Sequence, residues 1–183
     1  MNPQDLPGEI DPRSTIELLG YRTRKANPLQ QVVQNVAASR PGAWLLQRTV
    51  HRLDRVFFRL SGGRMTIAGL VAGLPVVMLS TTGAKSGQKR TTPLVGIPIE
   101  DDLAVIGSNF GQDNTPGWVF NLESDPAAVI SYRERWLDVH ARVADDAEAD
   151  AAFVHAAKVY PGYANYRDRA NHRRIRVFLL SAR

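Results

Sequence analysis

The sequence predicts a mainly β domain with flanking helices, an α+β fold in which antiparallel strands close into a barrel. Apolar runs of strand length occupy residues 75–82, 93–99, 103–108, 126–132, 136–143 and 175–180. Short turns at Asp101-Asp102 and at residues 133–135 join neighbouring runs, and such turns suit hairpins. Crossover helices, which parallel strands require, are few. A closed antiparallel barrel explains this combination, whereas a doubly wound sheet does not.

Composition points to one globular domain, in which any redox chemistry would need a bound organic cofactor or a non-thiolate metal site. The 183 residues are 44% hydrophobic and 22% charged, as is typical of a protein with a real core. Cysteine is absent from the sequence, which excludes thiol catalysis, disulfides and iron–sulfur ligation. The four histidines lack metal-ligand spacing, and no G-x-S-x-G elbow occurs. We therefore predict no metal site.

Positive charge is concentrated in the N-terminal third. Residues 1–64 hold ten Lys or Arg against five Asp or Glu, whereas residues 65–183 hold thirteen of each kind. This distribution argues against a nucleic-acid footprint on the main domain. The polar, acidic start of the chain does not resemble a signal peptide, and no apolar run reaches the length of a membrane span. The sequence thus predicts a cytoplasmic protein.

The first 40 residues are predicted to form an N-terminal arm and a short helix, ahead of a domain at 41–183. Residues 1–26, rich in Pro and charge, are expected to be loosely packed. Asn27 suits an N-cap and Pro28 suits the first helical position, so a helix should run to about Ser39.

A basic amphipathic helix is predicted at 43–60. Its apolar positions recur at steps of three and four, and its arginines form a parallel stripe at Arg48, Arg52, Arg55 and Arg59. An ordinary helix packed on the domain, with solvated arginines, explains this pattern. Contact with an anionic lipid surface, at the inner face of the cell membrane, explains it as well, and the two interpretations are compatible.

The segment from Ser80 to Leu94, the cationic loop, joins the first two predicted strands. Lys85, Lys89 and Arg90 lie there among glycines and hydroxyl residues. The loop could therefore offer positive charge, hydroxyl donors and free backbone N–H groups to one phosphate or polycarboxylate. The Walker spacing is absent. A polar hairpin loop without a ligand is the alternative interpretation.

Two further segments could carry chemistry. Ser108 to Gly111 follows the third predicted strand, whose pairing with the second strand places it near the cationic loop. A flat aromatic ligand could lie across that edge, although a plain connecting loop is the alternative. Tyr160, Tyr163 and Tyr166 are spaced by three, which puts three phenols near one helical face. They could hydrogen-bond a substrate or deliver a proton, or they could form a structural aromatic cluster. Helices are predicted around these segments at 115–123, 146–159 and 162–170.

These segments resemble the deazaflavin-dependent nitroreductase family, a branch of the flavin/deazaflavin oxidoreductases. The family pattern T-T-G-x-K-[ST]-G-x-x-R-x-x-P-L matches residues 81–94. A small-residue turn followed by P-x-W-x-x-N-L matches 107–109 and 116–122, and Y-P-x-Y-x-x-Y matches 160–166. The segment 59–64, R-L-x-G-G-R, is also similar. The blocks occur in the family's order, and the resemblance covers about residues 55–180.

The resemblance implies a split β-barrel, FMN-binding-like fold that binds coenzyme F420, an 8-hydroxy-5-deazaflavin with a phospholactyl-oligoglutamate tail. In relatives the cationic loop holds the anionic tail, and this role carries over to Lys85, Ser86, Gln88 and Arg90. The contacts to the deazaflavin ring carry over to Thr92, Pro93, Leu94, Gly107, Ser108 and Asn109. The substrate side carries over to Trp118, Tyr160, Tyr163 and Tyr166.

Within that substrate side, the resemblance makes Tyr163 the candidate proton donor, with Tyr160, Tyr166 and Ser108 helping to orient the substrate. Two positions depart from the family pattern. Ala84 stands where relatives often have Arg, a loss for which Lys89 could compensate, and Asn109 stands where they often have Lys.

The implied function is hydride transfer from reduced coenzyme F420 to an electron-poor acceptor of the quinone, enone or nitroaromatic type. One alternative is a split-barrel protein that binds FMN, FAD or haem. Another is a non-catalytic, membrane-docked cofactor-binding module. The sequence names neither the physiological acceptor nor the oligomeric state.

Overall fold

The computed structural model describes residues 14–22, 27, 30–31, 73–169 and 173–183, apart from the side chains of 167–169. Its helices are α1 (Thr15–Leu19), α2 (Gly117–Ser124), α3 (Asp146–Val159) and α4 (Gly162–Arg169). Its strands are β1 (Val76–Thr82), β2 (Lys89–Val95), β3 (Ile97–Ile99), β4 (Asp102–Ile106), β5 (Ala127–Tyr132), β6 (Arg135–Val143) and β7 (Val177–Ala182).

The two helices predicted nearest the N-terminus fall mainly outside these ranges. The basic helix at 43–60 lies wholly outside them, as does most of the helix at 27–39. The start of the latter is described. The Asn27 Oδ1 accepts a hydrogen bond from the Gln30 N–H at 2.8 Å, which confirms the predicted N-cap.

The strands form one antiparallel sheet in the order β2-β1-β5-β6-β7-β4-β3. β2 and β3 lie at opposite ends of this order, yet only Gly96 separates them along the chain. Two peptide units span about 7 Å at most, so the sheet must curl until its two edges meet. The result is the mainly antiparallel, half-closed barrel that the sequence predicts, with its seam at Gly96.

The bounds predicted for the second strand, 93–99, are wrong because this segment contributes to two strands. β2 already begins at Lys89, since the ladder with β1 continues outward to the pair Thr82–Lys89. Gly96 then interrupts the run: a Cβ there would lie 2.9 Å from side-chain atoms of Leu103 and Tyr21. The chain can therefore cross the seam only with a residue that lacks a side chain. The cationic loop shortens to the turn at 83–88.

Both faces of the sheet are covered by apolar side chains. In β4, Leu103 and Val105 belong to one core cluster, whereas Ala104 and Ile106 belong to the other. This division follows from the alternation of side chains along a strand. The first cluster includes the buried residues of α2, and the second includes those of α3 together with the three tyrosines. The site is thus built where both clusters reach the same end of the sheet.

Residues 14–22 form a strap across the first cluster, so the predicted loose packing of 1–26 is wrong for this part of the segment. Leu19 and Tyr21 are buried there. The Tyr21 hydroxyl lies 2.8 Å from the Pro75 carbonyl oxygen and 2.6 Å from that of Gly96. It therefore adds a donor at the end of the β1–β2 ladder, where the Pro75 carbonyl also accepts the Gly96 N–H at 3.2 Å. The composition of the strap could not reveal this packing, because its partners lie far along the chain.

The helices beside the site follow the predictions closely. α3 begins at Asp146, where it was predicted, and α2 begins at Gly117, two residues later than predicted. The apolar side of α2 is buried, as expected from Trp118, Val119 and Leu122. In the described part of the chain, no helix has the length and hydropathy that a membrane crossing requires.

Candidate active site

A cavity of about 920 Å³ lies between α2, the β1–β2 hairpin, the loop after β4 and the start of α4. Most of the predicted site residues line it, although they come from distant parts of the sequence: Lys85, Ser86, Arg90, Thr92, Pro93, Leu94, Ser108, Asn109, Trp118, Tyr160, Tyr163 and Tyr166. Gln88 and Gly107 stand next to lining residues. Sequence reasoning missed Phe110, Phe120 and Asn121, which line the cavity as well.

The backbone of the turn at 83–88 is largely occupied by its own hydrogen bonds. The N–H groups already bonded within the protein are those of Gly83, Ala84, Ser86, Gly87 and Gln88. Only the Lys85 N–H finds no acceptor among the described residues. The prediction that this turn offers free N–H groups is therefore wrong, because acceptors within the turn and the Asn121 side chain bind most of them. Recognition of an anion here falls to side chains.

β2 separates the cations of the hairpin onto two faces. Arg90, Thr92 and Leu94 alternate along the strand and line the cavity. The Thr91 hydroxyl, on the other face, lies 2.8 Å from the Ser80 hydroxyl of β1. Lys89 shares that other face by the same alternation. Lys89 is not among the residues that line the cavity, and its compensation for Ala84 stays a prediction.

The cationic end of the cavity thus consists of Lys85, Ser86 and Arg90. The Gln88 carboxamide reaches this end only indirectly, since its Oε1 accepts a hydrogen bond from the Arg90 guanidinium at 3.4 Å. Lys85 and Arg90 are both exposed. Two cations and a hydroxyl at an open mouth can bind a phosphate or carboxylates without the cost of burying an unpaired charge.

Asn121 fastens the turn to α2. Its Nδ2 donates to the Thr81 Oγ1 at 3.0 Å, and its Oδ1 accepts the Ala84 N–H at 3.0 Å. One carboxamide thereby fixes the end of β1 and the second residue of the turn. A polar residue at the centre of an otherwise apolar helix, within the block P-x-W-x-x-N-L, was the signal that could have found it.

The three tyrosines are both a structural cluster and part of the cavity wall. Each is less than a tenth exposed. Their ring centroids lie 5.7 to 6.1 Å apart, and the Tyr166 hydroxyl donates to that of Tyr160 at 3.3 Å. They do not share one helix, however. Tyr160 is the extended C-cap residue of α3, whereas Tyr163 and Tyr166 lie in α4. The common helical face predicted from their spacing is therefore wrong, because Pro161 starts a new helix.

Tyr163 differs from its neighbours in its surroundings. Burial, with a smaller contribution from Tyr160, raises the pKa of the Tyr163 hydroxyl above its ordinary value. Among the described residues, no group makes a hydrogen bond to this hydroxyl. It is thus a neutral O–H donor over the whole physiological pH range, held at the cavity wall.

Comparison with known proteins identifies relatives of this chain. A family model described as F420H(2)-dependent quinone reductase matches residues 50–182. Proteins named F420H(2)-dependent quinone reductase from two strains of Mycobacterium tuberculosis are 32% identical over 102 residues, which is 55% of this chain and 67% of each relative.

Two solved structures are similar to this chain. One, described as an F420-H2 dependent reductase (FDR-A), is 34% identical and covers 58% of this chain and 93% of its own, with a TM-score of 0.53. The other, described as a domain-swapped dimer, is 29% identical and covers 76% and 98%, with a TM-score of 0.55. The cavity, the sheet and the family model agree, and the chain belongs to the F420H(2)-dependent quinone reductase family.

Proposed function

We propose that this protein, an F420H2-dependent oxidoreductase by family, transfers a hydride from reduced coenzyme F420 to a quinone-type acceptor. The single observation that supports the site is a cavity with cations at one end and buried phenols at the other. Enones and nitroaromatics are further acceptors of the same electron-poor chemistry.

The donor groups of the cavity fit the cofactor. An anionic tail of phosphate and carboxylates suits Lys85, Ser86 and Arg90, which converge at the open end. A planar ring suits the wall formed by Thr92, Pro93 and Leu94. We assign the opposite ring edge to Gly107, Ser108 and Asn109, in the loop after β4.

The chain's own residues would position the acceptor and supply a proton. The bound cofactor supplies the hydride, so the protein needs no metal or thiol for this step. Trp118 and the tyrosines shape a pocket that excludes water from one side of the ring site. The neutral Tyr163 hydroxyl donates a proton to the reduced acceptor. Tyr160, Tyr166 and Ser108 orient the acceptor in the pocket.

Parallel titrations with oxidised coenzyme F420 and with FMN test the proposal. Trp118 lines the cavity, so ligand binding should quench tryptophan fluorescence. We expect micromolar binding of coenzyme F420, weakened by salt, and much weaker binding of FMN. The variant Trp118→Phe, titrated in parallel, identifies the quenched residue. Preference for FMN, or binding of neither deazaflavin nor flavin, would contradict the proposal and favour one of the alternative split-barrel functions.

Docking on an anionic membrane surface is a separate proposal that the sequence of 43–60 supports. Its arginine stripe should give salt-sensitive binding of the full chain to vesicles with anionic lipids, and none to zwitterionic vesicles. The triple variant Arg52→Gln, Arg55→Gln, Arg59→Gln should lose this binding. If the variant sediments with anionic vesicles as the unaltered protein does, the basic stripe is not a membrane contact.

A further inference from the structure

The loop after β4 has an unusual backbone and two hydrogen bonds of its own, from the Gly111 N–H to the Ser108 carbonyl at 2.9 Å and from the Gln112 N–H to the Asn109 carbonyl at 3.0 Å. Asn109, Phe110 and Gly111 all have positive φ, at 48°, 57° and 75°. Asn tolerates this region and glycine adopts it freely, but for Phe110 the left-handed conformation is unfavourable, because its Cβ approaches the backbone too closely. Such a conformation persists only where surrounding contacts determine it.

Arg173, which precedes β7, makes those contacts. Its guanidinium donates to the Gly107 carbonyl at 3.2 Å, to the Ser108 carbonyl at 2.9 Å and to the Gln112 carbonyl at 3.1 Å. The first two acceptors lie where the loop begins and the third where it ends. One planar fork therefore ties both ends of the loop together.

Arg173 is suited to a fixed internal role. It is half-buried, and burial lowers the pKa of its guanidinium, opposed by the charge of Asp113. Its three hydrogen bonds all go to backbone carbonyl oxygens, and they are charge-assisted because the donor is a cation. The neighbouring Arg174 is exposed and forms an ion pair with Asp146. The two adjacent arginines thus offer a matched pair, one on the loop and one on the surface.

The loop in turn presents Ser108, Asn109 and Phe110 to the cavity. The Phe110 ring meets the Tyr166 ring edge-to-face, with centroids 6.1 Å apart. A shift of the loop would therefore move the assigned ring contacts and the edge of the tyrosine cluster at the same time.

We propose that Arg173 is a positioning residue, which locks the strained loop 107–112 and thereby sets the geometry of the ring site. This inference rests on the proposed function for its effect on turnover, but not for its effect on the loop. A lysine cannot replace it, because one ammonium cannot span both ends of the loop as the guanidinium fork does.

Hydrogen exchange tests the loop without any cofactor. In Arg173→Met, backbone amides of 107–112 should exchange faster than in the unaltered protein, while Arg174→Met leaves them unchanged. In F420H2-dependent turnover, Arg173→Met and Arg173→Lys should lose roughly 10- to 100-fold in kcat/KM, since small misplacements of reacting groups have effects of that size. Millimolar guanidinium should restore part of the rate of Arg173→Ala, and sodium chloride should not.

Unchanged exchange at 107–112 in Arg173→Met would overturn the proposal. If Arg173→Met does not fold, Arg173→Lys is the test. Loop exchange and turnover in Arg173→Lys equal to those of the unaltered protein would also overturn the proposal. Faster loop exchange in a protein that never binds coenzyme F420 would support the positioning role while contradicting the proposed function.

Discussion

At the scale of single residues, position on a strand decides which cation can serve the site. Lys89 and Arg90 are neighbours in sequence and equal in charge, yet of the two only Arg90 lines the cavity. Composition or net charge cannot distinguish them.

Arg90→Ala should therefore weaken the binding of coenzyme F420, whereas Lys89→Ala should not. Losing a charge-assisted hydrogen bond costs about 1.5–3 kcal/mol, which is roughly a 10- to 100-fold rise in Kd. Fluorescence titration at moderate salt measures the effect. Equal losses in both variants would mean that only the long-range field of the hairpin matters.

Tyr163→Phe should lower kcat by about 100-fold or more, with little change in the Kd for coenzyme F420, because it removes a proton donor and leaves the ring. The raised pKa predicts that Tyr163 stays protonated, so it adds no ionisation to the rate profile between neutral pH and its ordinary value of 10.0. Stopped-flow rates across that range measure this. If Tyr160→Phe, Tyr163→Phe and Tyr166→Phe all turn over normally, the phenols have no part in the mechanism.

At the scale of elements, the contacts that fix the start of α3 also help to fix the position of Tyr160, which caps the other end of this helix. Asp145 and Glu148 form a capping box at that start, each side chain accepting the other's N–H at 2.8 Å. Arg142 of β6 adds two bonds of 2.7 Å to the Glu148 carboxylate. Buried Ala152, Phe153 and Ala156 then join α3 to the second core cluster.

Glu148→Gln should lower the free energy of unfolding at neutral pH. The Arg142 guanidinium and the Asp145 N–H lower the pKa of Glu148 from 4.5 to about 2. A lowered pKa stabilises the fold above pH 4.5, and this contribution is lost as the pH falls from 4.5 towards 2. Urea denaturation across this range should show that the difference in unfolding free energy between Glu148→Gln and the unaltered protein narrows as the pH falls. Glu134→Gln, an exposed carboxylate in the β5–β6 turn, is the control, and an equal effect there would contradict the assignment.

At the scale of the whole molecule, the strap at 14–22 helps to close the barrel. Its Tyr21 hydroxyl lies within hydrogen-bond distance of the Pro75 carbonyl, just before β1, and of the Gly96 carbonyl at the seam. Gly96 directly follows β2, the strand that contributes Arg90, Thr92 and Leu94 to the cavity. Stability of the seam and geometry of the ring site are therefore linked through β2.

Tyr21→Phe should destabilise the fold by about 1–3 kcal/mol at neutral pH, because it leaves the buried Gly96 carbonyl without this donor. Burial raises the pKa of Tyr21 above its ordinary value of 10.0, so its contribution is present below pH 10.0 and is lost above it. Urea denaturation should show the difference narrowing at alkaline pH. Tyr132→Phe is the control, since its hydroxyl bonds the exposed end of the strap at Arg22. An equally large loss of stability in Tyr132→Phe would contradict the importance assigned to the hydroxyl at the seam.

Local patterns were sufficient for much of the fold and for the residues of the site. The hydrophobic alternation of β6, the capping of α3 and the turn residues of 133–134 depend on neighbours a few positions away, so they can be read from the sequence. The motif blocks likewise identified most of the cavity wall. Asn121 and Arg173 were missed, because their hydrogen-bond partners lie 37 or more residues away.

The sequence by itself determined the class of fold, the absence of thiol chemistry and the kinds of residue that meet at the site. Only the tertiary structure decided that the sheet closes at Gly96, that Tyr21 serves the seam, that Arg90 and not Lys89 lines the cavity, and that the turn's N–H groups are occupied. The physical reason is common to these four. Each depends on which backbone groups and faces are already paired, and pairing across a curled sheet is set by contacts between segments that local preferences do not encode.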